Sequence, residues 1–288
     1  MRAPIVIILI AVLLIVGAAH LFRPATVATA TAETTYERIM RTGTIRCGYV
    51  LYAAYVQKDP NTGQLSGVSY DIANELARRQ NLKIEWSEEV GWGSFIEGLK
   101  ARRYDMICSG GWQEANEGKL IAYAPPIYYP ALGLWVRGDD TRFDADYKIL
   151  NAPGYKFVAT DGSLTGTLAA EYFPKAQILG LPNLTDFASL YANVTTGKAD
   201  AVLAETYDVQ RYLAQNPGSL KNLLAQQPLR VFPVSPLILP NDDWPLQNMV
   251  NAGVNELLNS GFIETILQKY GFGPEMGLRV QAPYRLPR

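Results

Sequence analysis

Apolar runs and helical segments alternate along most of this 288-residue chain, and this alternation limits the possible folds more than any other feature. The first part of the pattern predicts strands at 42–49, 83–86 and 106–108, with helices at 71–79 and 94–102. After a polar, acidic stretch at 137–146 the same pattern starts again at Tyr155. Strands that are joined by helices pair in parallel and have both faces covered, so the chain is predicted to have an α/β fold.

Two segments of this pattern resemble each other. Residues 96–108 and 191–203 each contain a helix end, a basic or glycine break, an aspartate and an apolar strand. The aspartates are Asp105 and Asp200. The similarity suggests two units built in the same way, each with a strand that ends at a cleft.

The stretch 105–118 follows the strand of the first unit and is the strongest candidate for a binding wall. The strand is followed directly by Ser109, Gly110, Gly111 and Trp112. These residues offer bare backbone, a hydroxyl and a large aromatic ring at the place where open sheets bind ligands. The alternative is a glycine-rich turn after a core strand.

The N-terminal residues 1–32 are predicted to direct export. Arg2 precedes an apolar run at 5–19, and a tract of small residues follows at 25–32 with two Ala-x-Ala cleavage options. This order is typical of a secretory signal peptide, which places the mature chain in the periplasm. The apolar run is long for a signal, so an uncleaved membrane anchor is the alternative.

Charge and residue content exclude several classes of function. The formal net charge is −1 and the chain has no run of Lys or Arg, which argues against nucleic acid as a partner. The single histidine, His20, lies in the N-terminal apolar segment. The rest of the chain therefore cannot carry Ser-His-Asp or Cys-His catalysis or a His-ligated metal. We expect neither a metal nor a cofactor.

The order of several short segments resembles the bacterial periplasmic solute-binding proteins that feed polar amino-acid ABC transporters. The resemblance spans about residues 36–272. It rests on the segments 43–48, 63–72, 95–105, 123–128, 162–163, 197–203 and 255–266. No single motif among them is decisive, but their order and spacing together are specific.

The resemblance implies a two-lobed periplasmic-binding-protein-like fold of type II, with two crossover strands as a hinge. Lobe 1 would comprise 33–136 and 236–288, and lobe 2 would comprise 137–235. A small-molecule ligand would be captured between the lobes as they close and delivered to an inner-membrane ABC permease. The chain is expected to act as a monomer and not as an enzyme.

The residues that bind the carboxylate of an amino acid in this family are changed here. The family's Thr falls on Glu114 and its Arg falls on Glu117, which reverses the charge. A carboxylate would be repelled there. Ser163 and Thr165 precede or open a predicted helix whose free N–H groups favour an anion or a neutral oxygen, and an ordinary helix cap is the alternative. Arg137 or Arg142 remains as a possible substitute for the missing arginine.

An acid and several aromatic side chains are the remaining candidates. The family's amine-binding Asp falls on Glu205, which is still acidic. The aromatic candidates are Tyr52, Tyr55, Trp92 and Trp112. Aromatic faces beside an acid suit a small, polar, amine-bearing solute. Alternatively these rings pack in the core or along the rim, and Glu114 and Glu117 are solvated surface acids.

Three questions stay open at this level. Cys47 and Cys108 are expected to lie near the ends of neighbouring parallel strands, where disulfide geometry is uncommon, so two buried thiols are favoured over a bond. One alternative function is a dehydratase-like or lyase-like enzyme on the same scaffold, with Glu117 or Glu205 as a general acid. The other is a membrane-anchored ligand sensor subunit.

Overall fold

The chain builds two main β-sheets, and helices alternate with the strands of each. In this computed structural model the described residues are 33–52, 54–273 and 277–279. The predicted signal or anchor at 1–32 lies outside them. Within the described residues, no helix has the length and apolar character needed to cross a membrane.

The smaller sheet has five strands in the order β4-β1-β5-β15-β7. Their bounds are Thr44–Tyr49 (β1), Lys83–Glu89 (β4), Met106–Ile107 (β5), Ile121–Tyr123 (β7) and Ile238–Pro240 (β15). β1 pairs in parallel with β4 and β5, as predicted, whereas β15 runs antiparallel between β5 and β7. Helices Thr35–Thr42 (α1), Val68–Arg79 (α2) and Phe95–Lys100 (α3) accompany it, with a short hairpin of Gln57–Lys58 (β2) and Leu65–Ser66 (β3).

The larger sheet has nine strands among the described residues, with the path β10-β9-β11-β8-β14-β6 and with β12, β13 and β16 also paired to β8. On the path lie Gly111–Trp112 (β6), Tyr128–Arg137 (β8), Lys156–Thr160 (β9), Gln177–Leu181 (β10), Ala201–Glu205 (β11) and Val234–Ser235 (β14). The other strands are Leu220–Asn222 (β12), Arg230–Val231 (β13) and Gly277–Arg279 (β16). Its helices are Leu164–Tyr172 (α4), Phe187–Thr195 (α5) and Thr206–Gln215 (α6). The last two helices, Trp244–Asn259 (α7) and Phe262–Lys269 (α8), pack against α2 of the smaller sheet.

The larger sheet is buried on both faces, which explains the continuous apolar runs in its strands. Because successive side chains of a strand point to opposite faces, Leu132 and Leu134 of β8 join one core cluster while Trp135 joins another. All five residues of β11 are buried. Strands of this kind read as unbroken apolar segments rather than as alternating ones.

The two segments with similar sequence also play the same structural part. Asp105 precedes β5, and its carboxylate accepts a hydrogen bond from the backbone N–H of Arg46 at 2.6 Å. Asp200 precedes β11, and its carboxylate accepts one from the backbone N–H of Lys156 at 2.9 Å. Each aspartate therefore clamps its own strand to the neighbouring parallel strand.

The prediction of two buried thiols is wrong, because Cys47 and Cys108 form a disulfide. Cys47 pairs with Met106 in the register between β1 and β5, so Cys108 lies two residues farther along the neighbouring strand. The Cα atoms of the two cysteines are 5.6 Å apart, well within the usual range for a disulfide. This diagonal offset brings the two sulfur atoms within bonding distance. Residues directly opposite each other in a parallel pair seldom have disulfide geometry.

Candidate functional site

A cavity with about 610 Å³ of empty volume, part of it open to solvent, lies between segments of the two sheets. The lining residues proposed from the sequence are Tyr52, Trp92, Gly110, Gly111, Trp112, Glu117, Ser163 and Thr165. The cavity is also lined by Phe95, Thr160, Leu164, Phe187 and Ile238.

Trp112 forms one wall of the cavity and is held from two sides. Its strand, β6, pairs with β14, so that Trp112 lies opposite Val234. Its indole ring stacks on Phe232, with ring centroids 4.7 Å apart and planes 7° apart. The ring is therefore fixed by the backbone and by packing before any ligand arrives.

Tyr52, Trp92 and Phe187 form an aromatic group on another side of the cavity. The ring of Tyr52 lies 4.9 Å from that of Phe187 and 6.1 Å from that of Trp92, measured between centroids. Trp92 in turn packs edge-on against Phe95. With Trp112, these rings make the cavity lining rich in aromatic side chains, and an aromatic face attracts a cation.

Glu117 is the only acidic or basic side chain among the described residues that line this cavity. It lies in the loop between β6 and β7, and its Oε2 accepts a hydrogen bond from the hydroxyl of Tyr123 at 2.6 Å. Burial raises the pKa of Glu117 above its ordinary value, the bond from Tyr123 opposes that effect, and nearby Glu114 adds to it. A cation in the cavity would favour the ionised form.

The start of α4 supplies the polar groups of the cavity wall. Ser163 is the N-cap of the helix, and its Oγ accepts a hydrogen bond from the backbone N–H of Gly166 at 3.4 Å. The hydroxyl oxygens of Ser163 and Thr165 lie 3.1 Å apart and share a hydrogen bond. Ser163 thus serves as a helix cap and as a cavity residue at the same time.

Asn183 joins the segments that follow β4 and β10. Its Oδ1 accepts a hydrogen bond from the backbone N–H of Gly93 at 2.8 Å, and its Nδ2 donates to the hydroxyl of Ser94 at 3.0 Å. A Cβ atom on Gly93 would lie 2.6 Å from the carbonyl oxygen of Asp161. The two sheets approach so closely here that only a glycine fits at this position.

Ser109 and Tyr55 were predicted to line the site, but the structure places both outside the cavity. The hydroxyl of Ser109 donates to the carbonyl oxygen of Val50 at 3.0 Å and is fully buried. Tyr55 is 1% exposed and packs against Gly110, where an added Cβ would lie 2.1 Å from the Tyr55 ring. Both residues support the wall instead of forming it.

Glu205 also lies outside the cavity, contrary to its predicted contact with the ligand. It is the last residue of β11 and is 2% exposed. Its Oε1 accepts a hydrogen bond from the indole N–H of Trp112, and its Oε2 accepts one from the hydroxyl of Tyr128 at 3.0 Å. Burial raises the pKa of Glu205 to about 7, although these donors favour the charged form.

Several cavity residues were not found from the sequence. Phe187 is the first residue of α5, and no motif in the sequence marked it as a site residue. Thr160 ends β9, and a rule that examines the residues at the carboxyl ends of strands would have selected it. Leu164 and Ile238 carry no polar group that would single them out.

Neither arginine considered as a substitute lines the cavity. Arg137 binds Asp139 with a separation of 2.6 Å between Nε and Oδ1. Arg142 binds Asp140 and Asp200 through Nη2, at 2.6 Å and 2.7 Å. Both guanidinium groups are thus held by acidic side chains that do not line the cavity.

A second and larger cavity adjoins the first. Tyr52, Trp92, Thr160 and Phe187 line both of them, so these residues form a shared partition. The larger cavity also contains charged side chains such as Lys58, Glu89 and Arg211. Because charges of both signs are mixed there, the smaller and more apolar cavity has the more distinctive chemistry.

Known proteins with similar sequences are binding components of transporters. One is a probable amino-acid ABC transporter periplasmic-binding protein from Sinorhizobium fredii, 29% identical over 154 residues. That match covers 51% of this chain and 48% of the relative, so the chain matches about half the length of that protein. Another is a probable histidine-binding protein from Campylobacter jejuni, 23% identical, with 72% of this chain and 77% of that one covered.

Solved structures of two-lobed periplasmic amino-acid-binding proteins share the fold. An ancestral amino-acid-binding protein, a precursor of cyclohexadienyl dehydratase, superposes with a TM-score of 0.71 at 24% identity. The superposition covers 82% of this chain and 99% of that one. Residues 45–274 match the sequence profile of the bacterial extracellular solute-binding proteins, family 3. The chain belongs to this family.

Proposed function

We propose that this protein captures a small organic cation without an α-carboxylate and delivers it to an ABC transporter permease outside the cytoplasm. The observation that carries the proposal is the lining of the smaller cavity, which combines several aromatic rings with a single carboxylate among the described residues, that of Glu117. Cations bind aromatic faces with roughly 0.5–2 kcal/mol per contact. A charge-assisted hydrogen bond to Glu117 adds about 1.5–3 kcal/mol.

The same lining disfavours an ordinary amino acid. Neither Lys nor Arg is present among the described lining residues, so an α-carboxylate would have no guanidinium or ammonium partner. It would instead approach Glu117, which is also acidic. The hydroxyls of Ser163 and Thr165 suit a neutral oxygen or a water molecule beside the cation.

The capture step would be lobe closure, with lobe 1 at 33–136 and 236–288 and lobe 2 at 137–235. Asn183 lies in proposed lobe 2 and its partners Gly93 and Ser94 lie in proposed lobe 1, so their hydrogen bonds would link the two lobes across the cleft. The family relationship supports delivery to a permease, since the relatives are named as binding components of ABC transporters.

The test compares two probes that differ only in the α-carboxylate, n-pentylammonium and norleucine. Isothermal titration calorimetry is expected to show n-pentylammonium binding at least about tenfold more tightly. Glu117→Gln should weaken the binding of n-pentylammonium by about ten- to a hundredfold. Glu117→Arg should reverse the preference, so that norleucine binds more tightly than n-pentylammonium.

Glu114→Gln is the matched control, because Glu114 lies in the same loop and is buried but does not line the cavity. Glu114→Gln should change the affinity for n-pentylammonium by no more than about threefold. Preference of the unmodified protein for norleucine would refute the proposal. Conversion of the bound probe to a product, followed by NMR, would favour an enzyme instead.

A further inference from the structure

A second carboxyl, that of Glu205, lies directly behind the cavity wall. It is nearly inaccessible, with 2% of its surface exposed, and it is absent from the lining. Trp112 separates it from the cavity, since the ring lines the space while its indole N–H donates to Glu205 Oε1. Because the side chain of Trp112 lines the cavity and also binds the buried carboxyl, it acts as a partition between the two.

The partition is rigid because Trp112 has little freedom to turn away. The stack on Phe232 restrains the ring, and the pairing of Trp112 with Val234 restrains the backbone. The next residue, Gln113, extends this hold, since its backbone N–H donates to the carbonyl of Pro233 at 2.9 Å. Glu205 is also held through its other oxygen, since Oε2 accepts a hydrogen bond from the hydroxyl of Tyr128 at 3.0 Å, and Tyr55 donates to that hydroxyl at 2.7 Å.

We propose that Trp112 is a specificity-determining residue that screens Glu205 from the cavity and so restricts the ligand to a single positive charge. This inference rests on the proposed binding of an organic cation. With the screen in place the cavity presents one carboxylate, Glu117. Without it the cavity would present two, and a ligand with two ammonium groups would be preferred.

The protonation of Glu205 sets the conditions for a test. The titratable groups around it are Tyr52, Tyr55, Tyr128 and Asp208, and burial is the largest cause of its raised pKa. Above about pH 8 the carboxyl is largely ionised, while alkyl ammonium groups, like that of lysine, remain charged. Measurements at about pH 8.5 therefore compare fully charged partners.

The experiment measures the ratio of dissociation constants for n-pentylammonium and pentane-diammonium. In the unmodified protein the monocation is expected to bind more tightly. Trp112→Ala should shift the ratio at least about tenfold toward the diammonium, and Trp112→Ala combined with Glu205→Gln should abolish that shift. Trp92→Ala is the matched control, because Trp92 also lines the cavity but is not one of the hydrogen-bond donors to Glu205. Trp92→Ala should weaken the binding of both probes and leave the ratio of their dissociation constants unchanged.

Each outcome decides between the two proposals. If the unmodified protein binds n-pentylammonium but Trp112→Ala leaves the ratio unchanged, the screening role is wrong and the proposed function stands. If the unmodified protein binds neither ammonium probe, the proposed function itself fails.

A measurement on the unmodified chain covers the case in which Trp112→Ala does not fold. Carboxyl ¹³C NMR should show that n-pentylammonium lowers the pKa of Glu117 clearly and leaves that of Glu205 nearly unchanged. Equal changes at both carboxyls would contradict a screen.

Discussion

Glu117 and Glu205 have the same side chain, but their surroundings give them different roles. Burial raises the pKa of both. Glu117 faces the cavity and has one protein donor, Tyr123, so it retains capacity to bind a ligand. Glu205 has donors on both oxygens and no access to the cavity. The number of protein donors, more than the residue type, separates a candidate ligand-binding acid from a structural one.

The titration of Glu205 should make the stability of the protein depend on pH. Its pKa is about 7 in the fold, against an ordinary value of 4.5. Well below pH 4.5, the carboxyl is protonated in both the folded and the unfolded chain. As pH rises through about 7 the unfolded chain has already ionised, and roughly 3 kcal/mol of stability is lost. Urea unfolding at about pH 5 and pH 8 should therefore show a less stable protein at the higher pH.

Glu205→Gln is expected to remove most of this decline, because the amide does not titrate. Asp208, whose pKa burial raises to about 6, contributes in the same direction, and Asp208→Asn should remove a smaller part. An unchanged pH dependence in Glu205→Gln would show that Glu205 titrates normally.

Sequence reasoning located the cavity residues whose position follows from a strand end. Gly110, Gly111 and Trp112 were predicted because they follow a strand. Ser109 was predicted by the same rule, but it does not line the cavity, because its hydroxyl is bonded to the backbone of Val50. Whether a polar group faces a ligand or a neighbouring loop depends on contacts between distant segments, which one sequence does not reveal.

At the level of elements, the clamp between an aspartate and the adjacent parallel strand occurs twice. Asp105 is 1% exposed and accepts hydrogen bonds from the guanidinium groups of Arg38 and Arg46. Asp200 has one such partner, Arg142, and its side chain is 19% exposed. The two positions are alike in topology and differ in burial and in number of partners.

Replacing these aspartates should therefore have unequal effects. Asp105→Asn is expected to lower the free energy of unfolding by roughly 3 kcal/mol, because two guanidinium groups lose their buried counter-charge. Asp200→Asn should cost about 1 kcal/mol, since water screens the more exposed pair. Urea unfolding of both variants provides the comparison. Equal losses would show that burial does not set the strength of the clamp.

The bounds of the elements were predicted less well than their order. β8 covers Tyr128–Arg137 and begins before the apolar run 131–136, because β14 and β16 pair with its first residues. β6 is a strand only because β14 lies beside it. Pairing partners that are distant along the chain decide such bounds. The disulfide between Cys47 and Cys108 was missed because the register between β1 and β5, which places the two cysteines diagonally, does not follow from the sequence.

For the molecule as a whole, the contact of Asn183 with Gly93 and Ser94 joins segments of the two sheets. In the family fold a ligand binds between lobes that close on it, so this contact should form and break with closure. The backbone amide of Gly93 is then a local probe of the closed state, because Asn183 accepts its hydrogen bond.

Hydrogen exchange should detect this closure. Saturating n-pentylammonium is expected to slow exchange at Gly93 by about tenfold and to leave the turn amide of Gly63, which donates to Asp59, unchanged. Asn183→Ala should remove the effect at Gly93 and accelerate ligand dissociation. Asn193→Ala is the control, because that amide binds only within α5, to the carbonyl of Ser189. Equal protection of Gly93 with and without the probe would argue against ligand-driven closure.

The placement of the tryptophans gives the protein an intrinsic optical signal. The chain has five tryptophans, and Trp92 and Trp112 line the cavity. Trp135 is buried away from the cavity and Trp244 is 70% exposed, so both should emit independently of occupancy. The indole N–H of Trp112 is bonded to Glu205, so its emission should follow both the arrival of a ligand and the ionisation of that carboxyl. Binding can therefore be followed by fluorescence without attaching a dye.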